Sequence, residues 1–157
     1  MIILHSYCPT IRKNDQELPA ILVNALKYYG YAVVDLPCPA DSPRRYEEYL
    51  RAYWNTDDII IVEQDIKVYG EEIKSLISCK KDWCAYQYKH RSDGAAMVTH
   101  GLGLTKISRA AQRVATPGKW LEGTYETLDA RVLGWLSVNG WHPHIHGTVQ
   151  HEHKTDE

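Results

Sequence analysis

Two periodicities alternate along this chain. Residues 1–7, MIILHSY, form a short apolar run that reads as a buried strand ending in a loop at Pro9 and Thr10. Leu18, Ile21, Leu22, Ala25, Leu26 and Tyr29 then recur at helical spacing. They predict a helix over 14–29 with one buried face, a capping box from Asn14 to Glu17, and a stop at Gly30. Residues 31–36, YAVVDL, read as a second strand closed by Pro37 and Pro39. Ser42-Pro43 opens a second helix running to Trp54, with Tyr46, Tyr49, Leu50 and Tyr53 as its apolar stripe. The run 58–62, DIIIV, is apolar enough for a strand covered on both faces. A short helix over 70–78 and a strand over 83–88 follow, and 95–99 is a candidate for one more strand. Helices are expected over 105–115 and over 124–139, the second ended by Gly140. The tail HPHIHGTVQHEH is partly extended.

Strand, helix, strand, helix, strand implies right-handed crossovers. The expected fold is an α/β, Rossmann-like domain with a mainly parallel central sheet flanked by helices. No repeat, linker or low-complexity block interrupts it, so residues 1–157 read as one domain.

Composition changes this picture little. Apolar residues make up 44% and charged residues 24%, enough for a real core. Phe is absent, and eleven Tyr and five Trp take over aromatic packing, each bringing a polar handle that needs a partner when buried. A net charge of −2 does not steer the whole protein onto nucleic acid or an anionic membrane. No leader-like or membrane-spanning stretch is visible, and a cytoplasmic location is expected. Cys8, Cys38, Cys79 and Cys84 form no C-x-x-C pair. They read as free buried thiols and lack the spacing of a structural zinc site.

Ligands of open parallel sheets bind at the carboxyl ends of the strands. After the first strand there is no Gly-rich dinucleotide fingerprint and no P-loop. Tyr7, Thr10 and Arg12 are available there for a base, ribose or phosphate. After the third strand, Glu63 and Asp65 stand one residue apart. On an extended segment both carboxylates face the same way, and such hard oxygen ligands suit Mg²⁺ or Mn²⁺. The tail offers His142, His144, His146, His151 and His153, and alternating histidines on a strand can present one face to a metal. Gly101 and Gly103 permit a close approach of the backbone to a ligand. Asp129, early in the last long helix, is favoured there by the helix dipole.

Taken in order, these pieces resemble the common core of the GT-A glycosyltransferases: Glu63-Gln64-Asp65 as the acidic metal motif, Gly101-Leu102-Gly103 as the glycine-containing loop, Thr127-Leu128-Asp129 as the acidic helix start, and a late histidine. DDIIIVEQDI and the later LDARV and HGTVQHEH are similar to small, truncated glycosyltransferases, some of them virus-encoded. The resemblance implies a metal-dependent transferase using a UDP- or GDP-sugar. Mn²⁺ or Mg²⁺ would sit on Glu63, Asp65 and His151, with His146 as the second choice of histidine. Asp129 would be the catalytic base, and a single base on the acceptor side implies inversion. Tyr7, Thr10 and Asp35 would hold base and ribose, and Gly101 to Gly103 would lie near the sugar. The acceptor is open, with nucleic acid, protein or a small metabolite all compatible. Two other functions fit the same residues: a non-catalytic nucleotide-sugar binding module and a metal-dependent phosphohydrolase.

Overall fold

The computed structural model describes residues 1–7, 18–38, 44–92, 95–99, 101–115 and 128–151. Among them are strands β1 (Ile2–Tyr7), β2 (Ala32–Pro37), β3 (Ile59–Glu63), β4 (Ile66–Lys67), β5 (Trp83–Ser92), β6 (Ala95–Thr99), β7 (Leu104–Ile107) and β8 (His144–His151). The helices are α1 (Ala20–Tyr28), α2 (Arg45–Tyr53), α3 (Gly70–Ser78), α4 (Arg109–Val114) and α5 (Leu128–Val138).

The sheet runs β2-β1-β3-β7-β5-β8-β4, with β6 paired to β5. β1 is parallel to β2 and β3, and β5 is parallel to β8. β7 is antiparallel to both β3 and β5, so β1, β2, β3, β5 and β8 share one direction. β4 and β6 are also antiparallel to their partners, and β4, β6 and β7 therefore run against the majority. The sheet is mixed, its main direction parallel, and the fold is α/β.

β3 sits inside this sheet, and its apolar run shows why. Ile59, Ile60 and Ile61 are fully buried, so each alternate side chain must meet a covered face. Leu4, Ile59, Ile61, Trp83 and Ile107 face one core, covered by Tyr46 and Leu50 of α2, Ala111 of α4, and Val132 and Leu136 of α5. Ile3, Ile60, Val62, Cys84 and Leu104 face the other, covered by Leu26 of α1 and by Ile73 and Leu76 of α3.

Three expectations are corrected. The first helix begins at Ala20, not at residue 14. Pro19 is its N-cap in an extended conformation, and a proline biases the residue before it away from helix. The Asn14–Glu17 capping box lies outside the described residues. The stripe predicted for this helix is not buried as a whole either. Ile21 and Tyr29 are 81% and 74% exposed, and α1 packs through Leu22, Val23 and Leu26. It lies against β2, the strand at the sheet edge, so one narrow line of side chains finds cover. The predicted helix over 105–115 divides in two. Residues 104–107 are strand β7, wedged between β3 and β5, and Ser108 caps α4 by accepting a hydrogen bond from the Ala111 N–H. Ala and Ser content read as helical there, but tertiary pairing took the β-branched Thr105 and Ile107 into the sheet. The remaining strands and helices lie close to their expected spans, with residues 42–43 and 124–127 outside the described residues. The two-residue β4 went unread.

A single buried amide ties the α2–β3 connection to α4. The Gln112 side chain is wholly buried. Its Nε2 donates to the carbonyls of Asp57 and Ile107, both at 2.8 Å, and its Oε1 accepts the Asn55 N–H at 2.7 Å. Gln112→Ala removes three hydrogen bonds at about 1 kcal/mol each, so a loss of about 3 kcal/mol is expected. It should appear as a lowered denaturation midpoint with an unchanged urea m-value. A loss below about 1 kcal/mol would mean that water replaces the amide.

Candidate active site

β3 delivers Glu63 to the carboxyl end of the sheet, beside Ser6 of β1. The Tyr46 hydroxyl on α2 donates to Glu63 Oε1 at 2.8 Å. Gln64 and Asp65 then form a turn rather than the extended segment predicted for them, and β4 leaves antiparallel to β8 with Ile66 opposite His151. This pairing sets His151 Nε2 2.9 Å from Asp65 Oδ2. The His151 ring stacks on Tyr88 of β5, with centroids 5.1 Å apart.

Asp129 enters from the first turn of α5. Its Oδ2 accepts the Leu102 N–H at 3.0 Å, which pins the 101–103 turn. A Cβ on Gly101 would come within 2.5 Å of that carboxylate oxygen and closer still to the Tyr88 hydroxyl. A Cβ on Gly103 would lie 3.0 Å from Ile66 and Tyr88 side-chain atoms. Both glycines are required by close approach, whether or not a ligand also uses it.

The electrostatics follow from crowding three carboxyl groups at one place. Burial, then the charges of Asp129 and Asp65, push the Glu63 carboxyl well above the usual carboxylate range, against the opposing Tyr46 hydrogen bond. Burial also raises Asp129, against the lowering effect of the Leu102 N–H and with a further rise from Asp65. Tyr88 is pushed up by burial and then by Glu63, Asp129 and Asp65.

The residues suit a hard divalent cation. Asp65 Oδ1 is buried with no hydrogen-bond partner, while its other oxygen meets His151. An orphaned buried carboxylate oxygen is costly unless a cation meets it. No three of the Glu63, Asp65, Asp129 and His151 ligand atoms lie mutually within 4.8 Å. An ion held here would take the rest of its shell from water or substrate phosphates, as Mg²⁺ and Mn²⁺ can.

The remaining predicted positions divide. Tyr7 ends β1 and stacks on the buried His5, which meets Asp35 Oδ1 at 3.1 Å. Tyr7 and Asp35 thus lie together near the carboxyl ends of β1 and β2. Thr10 and Arg12 lie outside the described residues, as does His153. His146 sits five residues before His151 on β8, roughly 16 Å along a strand, against Cys79, Cys84 and Tyr86. It belongs to a different cluster. Sequence reasoning missed Tyr46, Tyr88 and His5. Tyr46 read as packing and Tyr88 as the end of a strand. His5 alone carried a signal, as a polar residue in a buried apolar run.

No protein-family model matches this sequence, and comparison with curated proteins finds no match. Similar folds occur among solved structures. A197 from STIV superposes with a TM-score of 0.54 at 13% identity, covering 99% of this chain and 85% of that one. A glycosyltransferase involved in glycosylation of the major capsid of PBCV-1 superposes with a TM-score of 0.50 at 12% identity, covering 93% of this chain and 81% of that one. The fold is thus GT-A-like, with viral proteins among its structural neighbours.

The charge crowding has a pH signature. Glu63 and Asp129 hold protons more readily in the folded than in the unfolded chain. Their contribution to stability is therefore fully present below the ordinary carboxylate range and is lost as pH rises through their raised values. Glu63→Gln removes one of the charges. The variant is expected to melt higher than the parent at pH 8, with the difference shrinking towards pH 4. A melting-temperature difference that stays constant across that range would show that no buried charge is relieved.

Proposed function

We propose that this protein is a metal-dependent glycosyltransferase that moves a sugar from a UDP- or GDP-sugar to an acceptor hydroxyl with inversion. The observation that carries this reading is the convergence of Glu63, Asp65, His151 and Asp129 at the carboxyl end of β3. The GT-A-like fold supports it. Asp65 and His151 would hold Mn²⁺ or Mg²⁺, with Glu63 reaching it through water. When bound, the ion neutralises the diphosphate as the nucleoside diphosphate departs.

The chain's own residues account for the other requirements. The 101–103 turn would lie near the donor sugar, held there by the close packing of Gly101 and Gly103 against Tyr88, Asp129 and Ile66. Tyr7 and Asp35 would contact base and ribose, and Thr10 and Arg12, which follow Tyr7 in the sequence, would join them. Asp129 accepts the acceptor's proton. Its raised affinity for a proton suits that role, since a general base works best with a pKa near the operating pH. One Asp129 oxygen is engaged by the Leu102 N–H, which fixes the carboxylate's orientation. The open acceptor classes are nucleic acid, protein or a small metabolite.

Two substitutions test the assignment. Asn at 129 retains a carbonyl for the Leu102 N–H, so Asp129→Asn should keep the melting temperature and the Mn²⁺-dependent affinity for the donor. Sugar transfer, or donor hydrolysis while the acceptor is open, should fall by roughly 10²–10⁴-fold. Asp65→Asn should instead abolish the Mn²⁺-dependent thermal shift given by UDP or GDP, a shift worth about 2.7 kcal/mol at 100 times the dissociation constant. Metal-dependent binding in the parent with the donor left intact against every acceptor would favour a non-catalytic binding module. Full turnover by Asp129→Asn would remove it as the base.

A further inference from the structure

A second cluster of metal-ligating side chains lies at the other end of β5 and β8. The thiols expected to be free are paired here. α3 ends at Ser78 and β5 starts at Trp83, and the short turn between them brings Cys79 and Cys84 together as a disulfide. His146 of β8 completes the group: one ligand atom each from Cys79, Cys84 and His146 lies within 4.8 Å of the others. It is the one such group of three among the described residues. Cys84 lies four residues before Tyr88 on β5, roughly 13 Å along the strand, so the cluster is distinct from the carboxylate site.

We propose that, in the dithiol state, Cys79, Cys84 and His146 bind one Zn²⁺ ion that clamps the α3–β5 turn to the start of β8. Two thiolates and an imidazole make a soft, nitrogen-containing donor set of the kind zinc prefers. His146 Nε2 is buried and has no hydrogen-bond partner, so it points to a ligand that the protein itself does not supply. Its ring is held by stacking on Tyr86 at 5.6 Å and by the edge of His144 at 4.8 Å. Burial, then His144 and Lys106, lower its proton affinity, which keeps the imidazole neutral as a metal ligand must be. Lys106 pairs with Cys84 across the strands and donates to the Cys79 carbonyl at 2.6 Å. A cation there favours the thiolates. The fourth tetrahedral position is left for water, with the exposed His144 in register with Cys84 beside it.

The chemistry balances simply. An external thiol or phosphine reductant supplies two electrons, and two protons complete the two thiols as the S–S bond breaks. Zn²⁺ then displaces both thiol protons. The oxidised pair offers no thiolate, so the site exists only under reducing conditions.

Cobalt(II) titration tests the site without reference to transferase activity. The full chain is reduced with a phosphine, freed of reductant under argon, and titrated. One equivalent should produce sulfur-to-cobalt charge-transfer absorption and the intense d–d bands of tetrahedral coordination, both removed by Zn²⁺. His146→Ala should keep the sulfur band but weaken cobalt affinity at least about tenfold. Cys79→Ser should lower the charge-transfer intensity, and Asp65→Asn should leave the charge-transfer titration unchanged. Reduced parent protein that shows its thiols but no charge-transfer band would establish the pair as a disulfide only and overturn the proposal. So would a band of undiminished intensity in Cys79→Ser, or unaltered affinity in His146→Ala. Cobalt d–d absorption without a charge-transfer band, abolished by Asp65→Asn, would place the ion at the carboxylate site instead and likewise overturn the proposal.

Discussion

The burial of β3 on both faces is the constraint from which the rest of this structure follows. Ile59 to Val62 have no exposed side, so helices must cover the sheet above and below, and the chain can turn polar only where the strand ends. Glu63 stands at that end. Its neighbours are then decided by what packs around it: α2 presents Tyr46, the turn after β3 presents Asp65, and α5, anchored in the core by Val132 and Leu136, presents Asp129.

Crowding carboxylates at a strand end opposes stability unless something offsets it. The protein offsets part of it by hydrogen bonds, from Tyr46 to Glu63 and from Leu102 to Asp129. The rest is left as raised proton affinity and as an unpartnered oxygen on Asp65. Under the proposed transferase reading, a cation would relieve this crowding and in turn meet the donor diphosphate. The same residues that cost stability are the ones whose convergence supports transferase chemistry.

β5 and β8 link the two clusters. β5 carries Cys84 near its start and Tyr88 further along, and β8 carries His146 and then His151. Between Ala85 and Gln87 the pairing slips, so that His146 and Gly147 of β8 together oppose the single residue Tyr86. This bulge changes the alternation. His146 and His151, an odd number of residues apart, thereby come to the same face of the sheet. Without the extra residue, one of the two would point away from its partners.

Much of the architecture was legible in the chain. The strand at 58–62, the helix at 70–78 and the overall α/β order follow from local periodicity, because burial on one face or two leaves a repeating mark on the sequence. The acids Glu63 and Asp65 after the third strand, the glycines at 101 and 103, and Asp129 at a helix start were visible as residues, but the turn that separates the two acids was not. What sequence could not decide depends on which strand lies beside which. β7 read as helix because its strand character comes from insertion between β3 and β5. Tyr88 and Tyr46 read as packing because their polar ends find partners from other elements. The choice between His151 and His146 rested on a bulge and on the two-residue β4, and the joining of Cys79 to Cys84 on a turn whose course no Cys spacing encodes. Local pattern determines which faces are apolar and where charge gathers. Only the tertiary fold decides which side chains from distant segments share one small volume, because that depends on sheet order and register, and neither is written in any short stretch of chain.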